Sequence, residues 1–150
     1  MKTSDKGIDA IKHFEGFRNK AYKDVAGYWT IGYGHLVRKG DGVVIGDIIS
    51  PVNATLVLRQ DLEDAEHTVN NHTQVQLSQN QFDALVSFVY NLGAQRFIGS
   101  SLLRYLNAGN SAAAAQEFTK WDMAGGQHNK GIHDRRVAEQ AMFINGKYPS

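Results

Sequence analysis

The chain of 150 residues contains no cysteine, which removes disulfide frameworks, thiolate metal sites and cysteine nucleophiles together and fits synthesis in a reducing cytoplasm. No stretch approaches the roughly 20 apolar residues of a membrane span. The opening Met1-Lys2-Thr3-Ser4-Asp5-Lys6-Gly7 lacks the apolar core of a secretory signal, so neither a membrane anchor nor an export route of the chain's own is expected. Charge of one sign is also lacking. Residues 1–75 carry nine basic and ten acidic groups and residues 76–150 carry seven and five, an asymmetry too small to imply nucleic acid. It would draw an anionic polymer only mildly to the second half. His67 and His72, like His128 and His133, are five apart and miss the spacing of four that puts two ligands on one helical face, so no metal or cofactor is expected. With this length and no staples, one compact domain is the default.

A first helix is expected from a cap at Ser4 or Asp5, through Ile8, Ile11 and Phe14, to a stop at Gly16, which leaves Glu15 at a helix end. From Phe17 to Asp47 the pattern changes to the β-type pieces Tyr28-Trp29-Thr30-Ile31 and Val43-Val44-Ile45. Gly27, Gly32, Gly34, Gly40, Gly42 and Gly46 break them up, as in a small antiparallel sheet. Ser50-Pro51 gives an N-cap followed by proline at the first helical position, opening a long helix through Leu56, Leu62, Ala65 and Val69. Ser78-Gln79-Asn80-Gln81 has capping-box form. The segment after it is apolar on most faces until Gly93, as expected of a helix at the centre of a helical lobe. Further helices are expected from Ser100 or Ser101 to Asn107, from Asn110 to about Trp121, and from about His133 to Ile144. The alanine run from Ala112 to Ala115 is helix filler, and no internal repeat appears.

Two carboxyl groups in this layout have contrasting neighbours. Glu15 lies between Phe14 and Phe17, whereas Asp24 lies in the polar run Tyr22-Lys23-Asp24. Cleavage of a glycosidic bond needs such a contrast: one acid that keeps its proton in apolar surroundings, and one solvated carboxylate that controls a water or acts as nucleophile. With 15 acidic residues in the chain, the contrast alone does not select this pair.

The larger constellation does. It comprises Ile11-Lys12-His13-Phe14-Glu15-Gly16-Phe17-Arg18, Ala21-Tyr22-Lys23-Asp24 and Gly27-Tyr28-Trp29-Thr30-Ile31-Gly32-Tyr33-Gly34-His35-Leu36. Asn91-Leu92-Gly93, Trp121, Gly125-Gly126, Lys130-Gly131-Ile132 and Arg135-Arg136 follow downstream. Over nearly its whole length the chain resembles the phage-type lysozymes, the endolysin muramidases of tailed bacteriophages. The resemblance implies a lysozyme-like α+β fold in one domain over residues 1–150. A small antiparallel β lobe (about 17–50) would be joined by a long helix (about 51–71) to a larger helical lobe (about 72–150), with helix 4–16 packing on the latter and an active-site cleft between lobes. It implies hydrolysis of the β-1,4 bond between N-acetylmuramic acid and N-acetylglucosamine of bacterial peptidoglycan. Glu15 would be the general acid, with Asp24 and Thr30 positioning and activating water. Inversion would follow, with carboxyl groups about 6.5 to 9.5 Å apart rather than the roughly 5 to 5.5 Å of a retaining pair.

By the same resemblance His35 pairs with Asp61 on the bridging helix, and Leu36, Tyr90 and Ser101 occupy glycan-contact positions. Core or cap roles for these three remain open at this point. Arg135 and Arg136 fall in a segment that the family folds beside the catalytic helix, so one of them would pair with Glu15 or hold that helix; ordinary surface arginines are the alternative. On the helix before Trp121, where the family has a polar glycan contact, this chain offers mainly alanines and Gln116, and no role is transferred. Gly32-Tyr33-Gly34 begins like a dinucleotide fingerprint, but Val37 stands at the third glycine position, so turn glycines are expected. An endolysin without a signal would wait, as a monomer, in the host cytoplasm and reach the periplasmic wall after a holin-type lesion, with the holin an indirect partner only. The competing readings are an inactive wall-binding or virion structural protein, which intact Glu15, Asp24 and Thr30 oppose, and a lytic transglycosylase, which would leave Asp24 and Thr30 without water to handle.

Overall fold

The computed structural model describes residues 1–149 of the chain, which divide into two compact units: residues 11–63, and residues 1–10 together with those from Asp64 onward. Helix α1 (Asp5–Glu15) contributes to both along its length. Ser4 is its cap, its hydroxyl accepting from the Gly7 N–H at 3.0 Å, and Ile8 and Ile11 are buried as the three-residue step requires.

In the unit of residues 11–63, β1 (Arg18–Lys23), β2 (Trp29–Gly32) and β3 (His35–Leu36) form an antiparallel sheet in the order β1-β2-β3. Helix α2 (Pro51–Asp61) starts where expected, the Ser50 hydroxyl accepting from the Asn53 N–H at 3.1 Å, and packs on β2, with Ala54 against Gly32. Gly32 permits this approach, since a side chain there would begin 3.2 Å from the Ala54 methyl.

Two expectations fail in this unit. Val43-Val44-Ile45 is not a strand: the Asp41 carboxylate takes the Val43 and Arg38 N–H groups at 2.9 and 2.8 Å and folds residues 38–43 into a loop, leaving Val44 and Ile45 exposed. A single bridge from Lys20 to Ile48 stands in its place. The long helix is not continuous either. It is interrupted at Leu62, which caps α2 before α3 (Glu63–His72) begins. Ala54, Leu58, Leu62, Ala65 and Val69 are the buried positions, and Leu56, expected inward, is exposed.

The other unit is organised around α4 (Gln79–Leu92). Its capping box between Ser78 and Gln81 is complete, and residues 82–89 are all buried, as an all-round apolar helix predicts. Phe88 meets the rings of Phe97, Phe118 and Trp121 edge-on at 6.3, 5.1 and 6.5 Å. Around it lie α5 (Ala94–Ile98), which the sequence reading did not anticipate, α6 (Ser101–Asn107) and α7 (Ser111–Glu117), which runs into a 3-10 turn (Phe118–Lys120). A hairpin of β4 (Met123–Ala124) and β5 (Gln127–His128) follows, then α8 (Lys130–Asn145). Gly125 and Gly126, both at positive φ, make the hairpin turn. Helix α8 opens three residues before His133 because Asn129 caps it, accepting from the Ile132 N–H at 2.9 Å.

Helix α8 packs along α4, and the polar groups buried there satisfy one another. Glu139, fully buried, accepts from Arg135 Nε at 3.2 Å, Arg136 Nη1 at 2.9 Å and the Ser87 hydroxyl at 2.5 Å. Arg136 also donates to the Trp121 carbonyl at 2.9 Å and to Asn91 Oδ1 at 2.6 Å. A second buried carboxylate, Asp83, accepts from the Ser4 N–H at 3.0 Å, from Gln79 Nε2 at 2.9 Å, from the Tyr148 hydroxyl at 2.6 Å and from the Ser4 hydroxyl. Burial and the Asp83 charge push the Tyr148 phenol up to about 12.

His35 Nδ1 lies 2.8 Å from Asp61 Oδ2, the pairing the resemblance implied, and Nε2 lies 2.9 Å from Asp41 Oδ2, a partner it did not. A neutral imidazole has one N–H, so both contacts are hydrogen bonds only when the ring is protonated. Burial pulls the His35 pKa down, but the hydrogen bonds and charges of Asp41 and Asp61 outweigh it and the net displacement is upward. The Arg38 N–H, with Val43 and His35, holds Asp41 down at about 2 despite some desolvation. Asp61 moves up because its burial outweighs the pull of His35.

The folded His35 value exceeds the ordinary 6.5, so its stabilisation is complete below 6.5 and fades as pH rises through the folded value. Asp61→Asn should therefore cost about 1–2 kcal/mol near pH 6, with a deficit that shrinks at higher pH. Thermal unfolding midpoints of both proteins across that range check this, and parallel curves would exclude the pair. Glu139→Gln, which removes the buried charge that both guanidinium groups share, should cost about 3–5 kcal/mol. The readout is a lower urea midpoint at unchanged slope.

Candidate active site

Glu15 is the last residue of α1. Gly16, at φ 72°, ends the helix and returns its N–H to the Lys12 carbonyl at 2.9 Å. The Glu15 carboxyl is half-buried and rests against Gly34, in the turn between β2 and β3. A Cβ built on Gly34 would sit 2.5 Å from Glu15 Oε1, and the φ of +77° there already favours glycine. The apolar flank read from the sequence is arranged differently. Phe17 leans on Tyr33 at a ring separation of 5.2 Å and stays partly exposed, while the Lys12 ammonium lies 5.3 Å from that same Tyr33 ring.

Asp24 follows the last residue of β1 and organises the tight connection to β2. Its Oδ1 accepts from the Ala26 and Tyr28 N–H groups, both at 2.9 Å, and its own N–H donates to the Tyr28 carbonyl at 2.8 Å. Thr30 lies on β2, opposite Tyr22 on β1 and Leu36 on β3, and is buried. Its hydroxyl donates to that same Tyr28 carbonyl at 3.3 Å. One backbone residue therefore ties the carboxyl of Asp24 and the hydroxyl of Thr30 into a single hairpin. Glu15 joins them through Gly34, four residues beyond Thr30, so the unit of residues 11–63 holds all three.

The remaining expected residues are distributed between the units. Leu36, beside Thr30 on edge strand β3, is exposed, so a core role is ruled out. His35 and Asp61 belong to the clasp described above. In the helical unit, Tyr90 is half-buried near the end of α4. Ser101 is the first residue of α6, but Ser100 performs the capping, accepting from the Leu103 N–H at 3.2 Å; Ser101 instead accepts from Arg104 Nη2 at 3.0 Å. Arg135 and Arg136 are buried rather than ordinary surface arginines, and both engage Glu139.

Several polar residues escaped the sequence reading. The spacing from Arg135 and Arg136 to Glu139, four and three residues on a helix, was a visible signal of pairing. Asp41 between two glycines was a visible turn signal. Nothing local pointed to Ser87, or to buried Asp122 receiving His128 Nδ1 at 2.6 Å and His133 Nδ1 at 3.3 Å.

The family model described as phage lysozyme matches residues 12–139. The chain is 46% identical to the endolysin of Bacillus phage PZA across 97% of its own length, and spans 56% of the length of that relative. It is 39% identical to the endolysin of Salmonella phage P22, with 97% of this chain and 99% of that one aligned. The solved endolysin from Escherichia coli O157:H7 phage FAHEc1 superposes with a TM-score of 0.93 at 37% identity, covering 100% of this chain and 98% of the other. Matches of this extent, on a helical chain with one small antiparallel sheet, establish a lysozyme-like α+β fold and place the chain in the phage lysozyme family.

Proposed function

We propose that this chain is a lytic muramidase that hydrolyses the β-1,4 bond between N-acetylmuramic acid and N-acetylglucosamine in peptidoglycan. Glu15 passes its proton to the leaving glycosidic oxygen. Asp24 and the Thr30 hydroxyl hold a water on the other face of the sugar, and Asp24 takes up the proton that this water loses as its oxygen bonds to the anomeric carbon. The product is inverted. The observation that carries this reading is the hairpin on which Tyr28 anchors Asp24 and Thr30, in the same unit as a Glu15 carboxyl seated over Gly34. Among the described residues Asp24 Oδ2 has no hydrogen-bond partner, so it is available to water. Leu36, Tyr90 and Ser101 are the proposed glycan contacts, and residues 1–150 the proposed functional domain. In a phage infection the enzyme would meet the wall after a holin-type lesion, and wall degradation would lyse the host.

The decisive measurement combines clearing of chloroform-permeabilised Gram-negative cells with analysis of the fragments. Reducing ends formed first in the α configuration support hydrolysis with inversion; anhydromuramoyl ends would assign the chain to the lytic transglycosylases, and binding without clearing to a structural role. Glu15→Gln removes the transferable proton and keeps the shape, so clearing should fall by about 10²–10⁴ or more while stability changes by about 0.5 kcal/mol or less. Gly34→Ala tests the seat of that carboxyl. The new methyl must displace Glu15 and should lower kcat by about 100-fold, with about 1 kcal/mol lost to backbone strain. A fully active Gly34→Ala enzyme would remove Glu15 from the chemistry as described.

A further inference from the structure

The segment that touches the candidate catalytic groups is weakly held by its own sheet. Strand β3 is an edge strand that pairs with β2 at two positions, Leu36 with Thr30 and His35 with Ile31. Gly34, just before it, seats the Glu15 carboxyl, and Leu36 stands beside Thr30. So short a pairing is marginal by itself. The placement of residues 34–36 therefore depends on what else fastens them.

The fastener is the His35 ring, held from two sides. Asp61 meets Nδ1 from α2, which packs on β2. Asp41 meets Nε2 from the loop; its Oδ2 also takes the Arg38 N–H, and its Oδ1 takes the Val43 N–H. These bonds tie residues 38–43 to one another, and the His35 contact joins that loop to the strand.

The two sides respond differently when the ring loses its proton. Neutral imidazole keeps one N–H. It stays on Nδ1, because Asp61 is half-buried and its charge would be the costlier one to leave unmatched. Nε2 then turns a lone pair toward Asp41 Oδ2 at 2.9 Å, and the charges of Asp41 and Asp61 repel across an uncharged ring. Arg38 attracts Asp61 and so favours the Asp61 side, while β2 (Trp29–Gly32) brings no titratable side chain. The contact that opens is the one to the loop, which lacks the packing of a helix or strand.

We propose that Asp41 is a positioning residue for the cleavage: through protonated His35 it pins β3, which keeps Gly34 under Glu15 and Leu36 beside Thr30. The proposal rests on the muramidase reading, because placement of these groups matters to activity only if Glu15 and Thr30 act on the glycan. The carboxylates on either side outweigh burial and raise the His35 pKa above the ordinary 6.5. The pin is therefore complete below 6.5 and is released as pH rises through the folded value. The Asp61 contact persists as a neutral hydrogen bond, so the effect belongs to Asp41.

The test uses Asp41→Ala, a change in an exposed loop. Initial rates on solubilised peptidoglycan are measured for both chains across the range in which histidine titrates. On the acid side the native kcat should exceed that of the variant about tenfold, because the general acid is misplaced in the variant. The ratio should fall to about one as pH rises through the midpoint at which the His35 Cε1–H resonance titrates. Ionisation of Glu15 is common to both chains and cancels in the ratio. A second readout needs no turnover: hydrogen exchange of the Val37 N–H, which donates to the Trp29 carbonyl at 2.9 Å, reports how firmly β3 is held. Corrected for base catalysis, its protection should drop across the same midpoint in the native chain and be low at every pH in Asp41→Ala. A kcat ratio independent of pH would make Asp41 merely structural and overturn the proposal, as would equal Val37 protection in the two chains. A native chain that shows the change in protection but cuts no glycan would refute the muramidase reading, and the part of Asp41 in cleavage with it, while the fastening of β3 by His35 stands.

Discussion

A charge removed from water must be met by opposite charge or by hydrogen bonds, at a penalty of several kcal/mol if it is not. Much of this protein's internal order follows from that requirement. Asp83 and Glu139 lie within the apolar body of the helical unit, and each collects its partners from chain segments far apart in sequence. Asp83 gathers Ser4 and Tyr148 onto α4; Glu139 fixes α8 against α4 through Ser87. These bonds tie together chain segments that apolar packing also brings into contact. In the other unit, half-buried Asp61 and the exposed loop carboxylate Asp41 share His35 in the same manner.

Backbone peptide groups hold two of the candidate catalytic side chains. Asp24 and Thr30 both hold the peptide groups of Tyr28, so their separation is set by a tight hairpin instead of by two independent side-chain rotamers. Glu15 is placed by the termination of a helix and by the absence of a side chain at Gly34. Both devices are rigid and take up little space, as a reaction that depends on geometry at the ångström scale requires.

Local chemistry was readable at several helix ends. The caps at Ser4, Ser50 and Ser78, the stop at Gly16 and the all-apolar character of α4 depend on contacts within a few residues and occur as expected. The misreadings have separate causes. Val43-Val44-Ile45 has strand composition, but the Asp41 side chain captures the N–H that a strand would need. The helix from Pro51 breaks at Leu62, and Leu56 faces outward, because burial follows Leu58, Leu62, Ala65 and Val69. Helix α8 begins at the Asn129 cap, ahead of the first apolar position that periodicity could detect.

The sequence by itself determined the family, the order of the main elements and the identities of Glu15, Asp24 and Thr30 as candidates, because motif spacing and capping are short-range properties of the chain. Only the tertiary structure decided that Gly34 seats the Glu15 carboxyl, that His35 serves two carboxylates, and that Arg135 reaches Ser87 and Arg136 reaches Asn91 on α4. Each of those contacts depends on the distance between side chains on different elements. That distance is set by how the elements pack, and no one-dimensional pattern contains it.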